Sequence, residues 1–175
     1  IENPKFFARL ERKLKKAQRA LSRKTKGSAN QAKARLKVAR VHEKVKHTRG
    51  DWIDQRVATI VAESQGIYVE DLNVAGLSRG RASKSWHDAA AGMFLTRLES
   101  KAARTGRTFA KVDRYFPSTQ LCSDCGALTG PKGLAGLQVR EWSCPCGAVH
   151  DRDVNAEINI RREGKRLVAE GLPDT

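Results

Sequence analysis

The chain is 175 residues long and carries 34 Lys and Arg against 19 Asp and Glu, a formal net charge of +15. So large an excess of cations points to a polyanionic partner. No apolar run approaches the length of a membrane span and nothing resembles a secretion signal, so no membrane partner is expected and the chain reads as soluble and intracellular. The length suits one domain with a small appended module, and a start at Ile1 rather than Met reads as processing or as part of a longer protein.

The charge is concentrated. Residues 1–50 hold 17 Lys/Arg and 3 acids, leaving 17 and 16 for the other 125 residues. In that basic segment Asn3 and Pro4 open a helix as N-cap and first helical residue. Phe7, Leu10, Leu14, Ala17 and Leu21 recur at intervals of three and four, the seam of a two-helix contact. Thr25-Lys26-Gly27-Ser28 breaks the pattern, and Ser28 caps a second helix with its own seam, Ala34, Val38, Val41, Val45, Thr48 and Trp52, continuing through Val57, Ile60 and Val61. The expectation is an antiparallel helical hairpin with a thin apolar stripe. A merely solvated face would mix both signs, so a ratio of 17 to 3 favours phosphate binding.

Gly66 ends the second helix and Ile67–Glu70 reads as a short buried strand. Residues 72–85 are polar, glycine-containing and basic, and read as a mobile loop. A third helix is expected from about Trp86 to Arg104, with Phe94, Leu98 and Ala102 on one face and Gly106 just past its end. Thr108–Val112 is a second strand. A closing helix runs from Val154 to about Glu170, with Arg161, Arg162, Lys165 and Arg166 on a basic outer face.

All four cysteines lie in two close pairs, Cys122/Cys125 and Cys144/Cys146, separated by residues 126–143 and each followed by glycine, Gly126 and Gly147. This is the spacing of a zinc ribbon, in which two turns place four thiolates around a structural metal with no open position for water. The second pair is a tighter Cys-x-Cys, and His150 is near enough to serve as a substitute ligand. Two disulfides or four inert thiols are the alternatives. Among the acids, Glu70 and Asp71 stand at a strand end, where alternation lets only one face a given site. Asp151 and Asp153 open the closing helix, and Asp153 taken alone reads as a cap.

The segments VEDLNV (69–74), DRYFPSTQLCSDCG (113–126), REWSCPCG (140–147) and HDRDVNAEINI (150–160), with the basic run QAKARLKVARVHEKVKHTRGDW, resemble the TnpB-type (OrfB) proteins of insertion sequences, relatives of the compact type V CRISPR effectors. The resemblance implies an α/β chain: a partial RNase H-like (RuvC) fold with an inserted basic helical hairpin and a zinc ribbon. Its divisions would be the hairpin at 1–65, a RuvC-like core segment at 66–118, the ribbon at 119–150, and a closing helix and tail at 151–175. It implies RNA-guided DNA cleavage, with DNA and guide RNA as partners, in the prokaryotic cytoplasm at the nucleoid. Glu70 and Asp153 would be the second and third acids holding catalytic magnesium, Asp151 a neighbour, and Cys122, Cys125, Cys144 and Cys146 the zinc ligands. No residue matches the family's first acid, an Asp-x-Gly aspartate, so these 175 residues are expected to be inactive alone; the alternative is a zinc-dependent nucleic-acid-binding module that does not cut. Glu157 departs from the family's usual alanine, on what reads as a helix surface.

Overall fold

The computed structural model describes residues 6–73 and 90–172, apart from the side chains of residues 6–9 and 134. The elements fall into two compact units: three helices in one, two small sheets and two further helices in the other.

In the helical unit, α1 (Phe6–Ser22) packs on α2 (Ala29–Glu63). Leu14 is buried and Leu10, Ala17 and Leu21 are half-buried, as the seam requires; the side chain of Phe7 lies outside the described residues, as do Asn3 and Pro4. The turn between the helices is closed reciprocally. Ser28 Oγ accepts from the Gln31 N–H at 3.1 Å, and Gln31 Oε1 accepts from the Gly27 N–H at 2.8 Å, so one amide that the helix start leaves free and one in the turn before it are both satisfied.

The 35 residues of α2 span about 52 Å. Its buried face begins as expected with Ala34, Val41 and Val45, then becomes Gly50, Ile53, Val57 and Val61. Thr48 is exposed, and Trp52 and Ile60 are only half-buried, contrary to the sequence seam. The face moves because the partner changes from α1 to α3 (Ala91–Arg104). A shift of one residue, from 49 and 52 to 50 and 53, turns the face by about 100°. At the change, Arg97 of α3 lies beside Gly50, donates to the Gly50 carbonyl at 2.9 Å and pairs with Asp54 at 2.6 Å; a Cβ on residue 50 would come 3.4 Å from that guanidinium. Leu98 and Ala102 form the buried face of α3 with Phe94 half-buried, and Gly106 lies beyond its end at φ 64°. The expected helix start at Trp86 and most of the expected loop, residues 74–85, lie outside the described residues.

In the second unit, β1 (Gly66–Glu70) and β2 (Thr108–Val112) pair in parallel, from Gly66 opposite Thr108 to Glu70 opposite Val112. Both contact α5 (Arg152–Ala169). Gly164 lets the helix approach β1, since a Cβ there would sit 2.4 Å from Tyr68 Cδ1. The helix begins two residues before the expected Val154. Its expected basic outer face is corrected in part: Arg162 donates to the Ser123 carbonyl, and Arg161 and Arg166 are tied to Glu157 and to Glu163 and Glu170. A one-turn helix, α4 (Gly133–Gly136), precedes β3 (Glu141–Ser143), which pairs antiparallel with β4 (Val149–Asp151). Trp142, Cys122 and Cys144 are buried together against Ala148.

Candidate functional site

The two cysteine pairs converge. The sulfurs of Cys122, Cys125, Cys144 and Cys146 all lie within 4.8 Å of one another, with Cys122 to Cys146 at 3.8 Å and Cys125 to Cys144 at 3.6 Å. A tetrahedral centre with metal–sulfur bonds of about 2.3 Å needs sulfurs roughly 3.8 Å apart, so the quartet fits one soft tetrahedral ion. All four are free thiols, which sets aside the two-disulfide alternative. Each pair is turned by its glycine in the left-handed region, Gly126 at φ 76° and Gly147 at φ 95°. The Gly126 N–H returns to the Cys122 carbonyl and the Gly147 N–H to the Cys144 carbonyl, each at 2.9 Å. The shorter Cys-x-Cys is therefore accommodated by a turn one residue tighter.

Hydrogen bonds then divide the thiols. The Cys146 amide, helped by the Thr129 hydroxyl 3.1 Å from the sulfur, lowers Cys144 to about 6. Although the Ala148 amide favours a Cys146 thiolate, the neighbouring sulfurs and burial push that group up to about 12. Four thiols this close cannot all ionise without a cation among them. His150, expected as a substitute ligand, lies outside the quartet: its Nε2 is 3.1 Å from Cys122 Sγ and its ring leans on Trp142, centroids 4.7 Å apart. It stands beside the Cys122 sulfur and is not one of the four clustered groups.

Glu70, from the end of β1, and Asp153, from the first turn of α5, line one open cleft of about 530 Å³. Ser118 and Thr119 form another part of its wall. Burial, then the neighbouring Asp71, raises the Glu70 pKa above its ordinary value. Asp71 is not in the cleft lining and pairs with Arg114, as strand alternation requires. The cap expected of Asp153 is made by Asp151, whose Oδ1 accepts from the Asp153 and Val154 amides at 2.9 Å each. Asp153 is thus released from capping, and its carboxylate meets Arg140 at 3.2 Å and Arg152 at 2.9 Å. Glu157, one turn further along, lines the same cleft and pairs with Arg161 at 3.1 Å.

Two residues the sequence reading passed over hold α5 in place. Asn155 and Asn159 are 1% and 3% exposed. Each donates from Nδ2 to the carbonyls of Ser118 and Leu121, at 3.3 and 2.8 Å and at 2.9 and 2.7 Å. Asn155 Oδ1 also accepts from the Ser123 amide at 2.9 Å. The signal was available: two asparagines four apart in a helix interior, where asparagine is a poor helix former and needs a reason to stay.

The helical unit contributes a groove of about 530 Å³ between α1 and α2. Leu10, Ala17 and Val41 contribute apolar lining, while Lys13, Lys16, Lys37, Arg40 and Lys44 supply the charge. No acidic side chain among the described residues pairs with these five cations. On α5, by contrast, Arg161 and Arg166 are neutralised by acids of their own helix.

Comparison with known proteins adds two family matches and several curated relatives. The family described as "Probable transposase" matches residues 1–81, and the family described as "Cas12f1-like, TNB domain" matches residues 92–160. A protein of Streptomyces pristinaespiralis named "Putative RNA-guided DNA endonuclease" is 47% identical over 165 residues, covering 94% of this chain and 40% of the relative. The similarly named InsQ of Escherichia coli K12 is 29% identical over 183 residues, covering 94% of this chain and 44% of the relative. The chain thus spans less than half the length of these curated relatives.

Proposed function

Since the chain belongs to the TnpB-type (OrfB) family of insertion-sequence proteins, we propose that it forms the carboxy-terminal RuvC and zinc-ribbon part of an RNA-guided DNA endonuclease. The observation that carries this reading is the meeting of Glu70 and Asp153 in one cleft, from a strand end and a helix start far apart in sequence. On this reading β1, β2 and α5 belong to an RNase H-like domain, the α1–α2 hairpin is its basic insertion, and Cys122, Cys125, Cys144 and Cys146 hold zinc. The proposed divisions are 1–65, 66–118, 119–150 and 151–175.

The cleft suits magnesium because hard carboxylate oxygens are the donors that ion prefers, while open space leaves room for its waters. A pair of such ions supplies an activated water and charge to steady the leaving oxygen of a phosphodiester. Glu70, half-buried and raised in pKa, gains most from a bound cation, which relieves both its desolvation and its repulsion from Asp71. Asp153 would exchange Arg140 and Arg152 for the ion. The unpaired cations of the α1–α2 groove supply the phosphate contacts that hold DNA and guide RNA. Because no residue matches the family's first acid, the 175 residues alone are expected to bind the ion and to be inactive.

Titration with Mn2+, followed by its electron paramagnetic resonance signal, tests the cleft. Saturable binding that Glu70→Ala and Asp153→Ala each weaken at least tenfold is the expected outcome. Equal binding by the parent and both variants would remove the nuclease assignment and leave a basic, cysteine-rich nucleic-acid-binding protein.

A further inference from the structure

The cysteine quartet and the acidic cleft are joined by side chains that neither site uses directly. Cys122 stands between Leu121 and Ser123, and the backbone groups on both sides of it are bound by α5: the Leu121 carbonyl by both asparagines, the Ser123 amide by Asn155 Oδ1, and the Ser123 carbonyl by Arg162. Ser118, which lines the cleft, accepts from the same two asparagines. At the other end of this contact, Asn155 lies two residues from Asp153 in the first turns of α5.

We infer that Asn155 and Asn159 are positioning residues for Asp153. They fasten the start of α5 to the Cys122 turn, so the folded state of the quartet sets where the Asp153 carboxylate stands in the cleft. The physical case rests on burial. Leucine in place of both asparagines would keep most of their volume but leave the Ser118 and Leu121 carbonyls and the Ser123 amide without these partners in a dry setting, whereas leucine at one position leaves each carbonyl its bond to the other asparagine. Those groups regain partners only if the helix start and the turn separate. Release of metal from the quartet acts on the same contact from the opposite side, because a Cys122 turn no longer held by sulfur–metal bonds cannot hold its carbonyls in register with two asparagine amides.

This inference rests on the reading of the quartet as a zinc site, and its test keeps that reading separate. Zinc-loaded parent, Asn159→Leu and the double variant Asn155→Leu/Asn159→Leu are compared by amide hydrogen exchange, with Co2+ substitution reporting whether the four thiolates still assemble. Thiolate–Co2+ absorption should survive in both variants, while exchange in residues 153–156 speeds up at least tenfold in the double variant and less in Asn159→Leu. Chelation of zinc from the parent should produce the same acceleration in 153–156, and chelation from the double variant should add nothing there, because one contact has been removed twice. Mn2+ affinity at the cleft should fall in step, by about 10- to 100-fold. Protection of 153–156 unchanged by the substitutions, or effects of chelation and substitution that simply add, would overturn the inference. Absence of any thiolate–Co2+ spectrum in the parent would overturn the zinc reading, and the inference with it. If Glu70→Ala leaves Mn2+ binding intact, only the cleft reading falls, and hydrogen exchange still decides whether the asparagines couple quartet to helix.

Discussion

At the scale of single residues, Glu70 carries the clearest electrostatic consequence. Its folded pKa lies above 4.5 through burial and then Asp71, so between the unfolded and folded values the folded state binds the extra proton. Stability therefore declines as pH rises through that interval. Glu70→Gln should be as stable as the parent below pH 4.5 and more stable at neutral pH without divalent cations, as read from urea midpoints. Saturating Mg2+ should reverse the order by favouring the ionised parent. Coincident parent and variant curves would show that burial does not act on this carboxylate. Gly164 offers a steric counterpart: Gly164→Ala puts a methyl 2.4 Å from the Tyr68 ring, a clash expected to cost about 1–3 kcal/mol in chemical denaturation. Gly164 carried no sequence signal, since its need comes from a strand nearly a hundred positions away.

At the scale of elements, local patterns were read most faithfully where one partner decides them. Leu10, Leu14, Ala17 and Leu21 meet a single helix, and the strand Thr108–Val112 appears at the residues its pattern marked. Periodicity failed on α2 because two partners divide it, and a repeat extended from Val45 cannot register that the second approaches one residue further round. The expected consequence is measurable: Ile53→Ala, at 0% exposure, should cost about 2–5 kcal/mol, whereas Thr48→Ala should stay within roughly 0.5 kcal/mol. Equal losses at both positions would contradict the change of face. The cysteine spacing was legible because a metal site is specified by a few residues in short turns. Asp151 and Asp153 were harder to assign, since either carboxylate suits a helix start; backbone geometry made Asp151 the cap and left Asp153 to the cleft.

At the scale of the molecule, the distribution of neutralised and unneutralised charge matters more than its sum. Binding of labelled nucleic acid should weaken steeply with salt, by about 0.9 log units per tenfold change for each phosphate engaged. Replacing Lys37, Arg40 and Lys44 with glutamine should flatten that dependence by about 2 to 3 in slope. Replacing Arg161 and Arg166, already paired with acids, should leave it nearly unchanged; similar losses in both sets would spread the footprint over the whole surface. The fold class could be read only to the level of mixed helix and strand, because two short parallel strands constrain little until their neighbours are known. The cysteine quartet bears finally on how the protein ages. Two of its close sulfur pairs bridge different turns, Cys125 with Cys144 at 3.6 Å and Cys122 with Cys146 at 3.8 Å. Peroxide reaching the thiols would stitch one turn to the other through such a pair, leaving a crosslinked knot until a reductant reopened it.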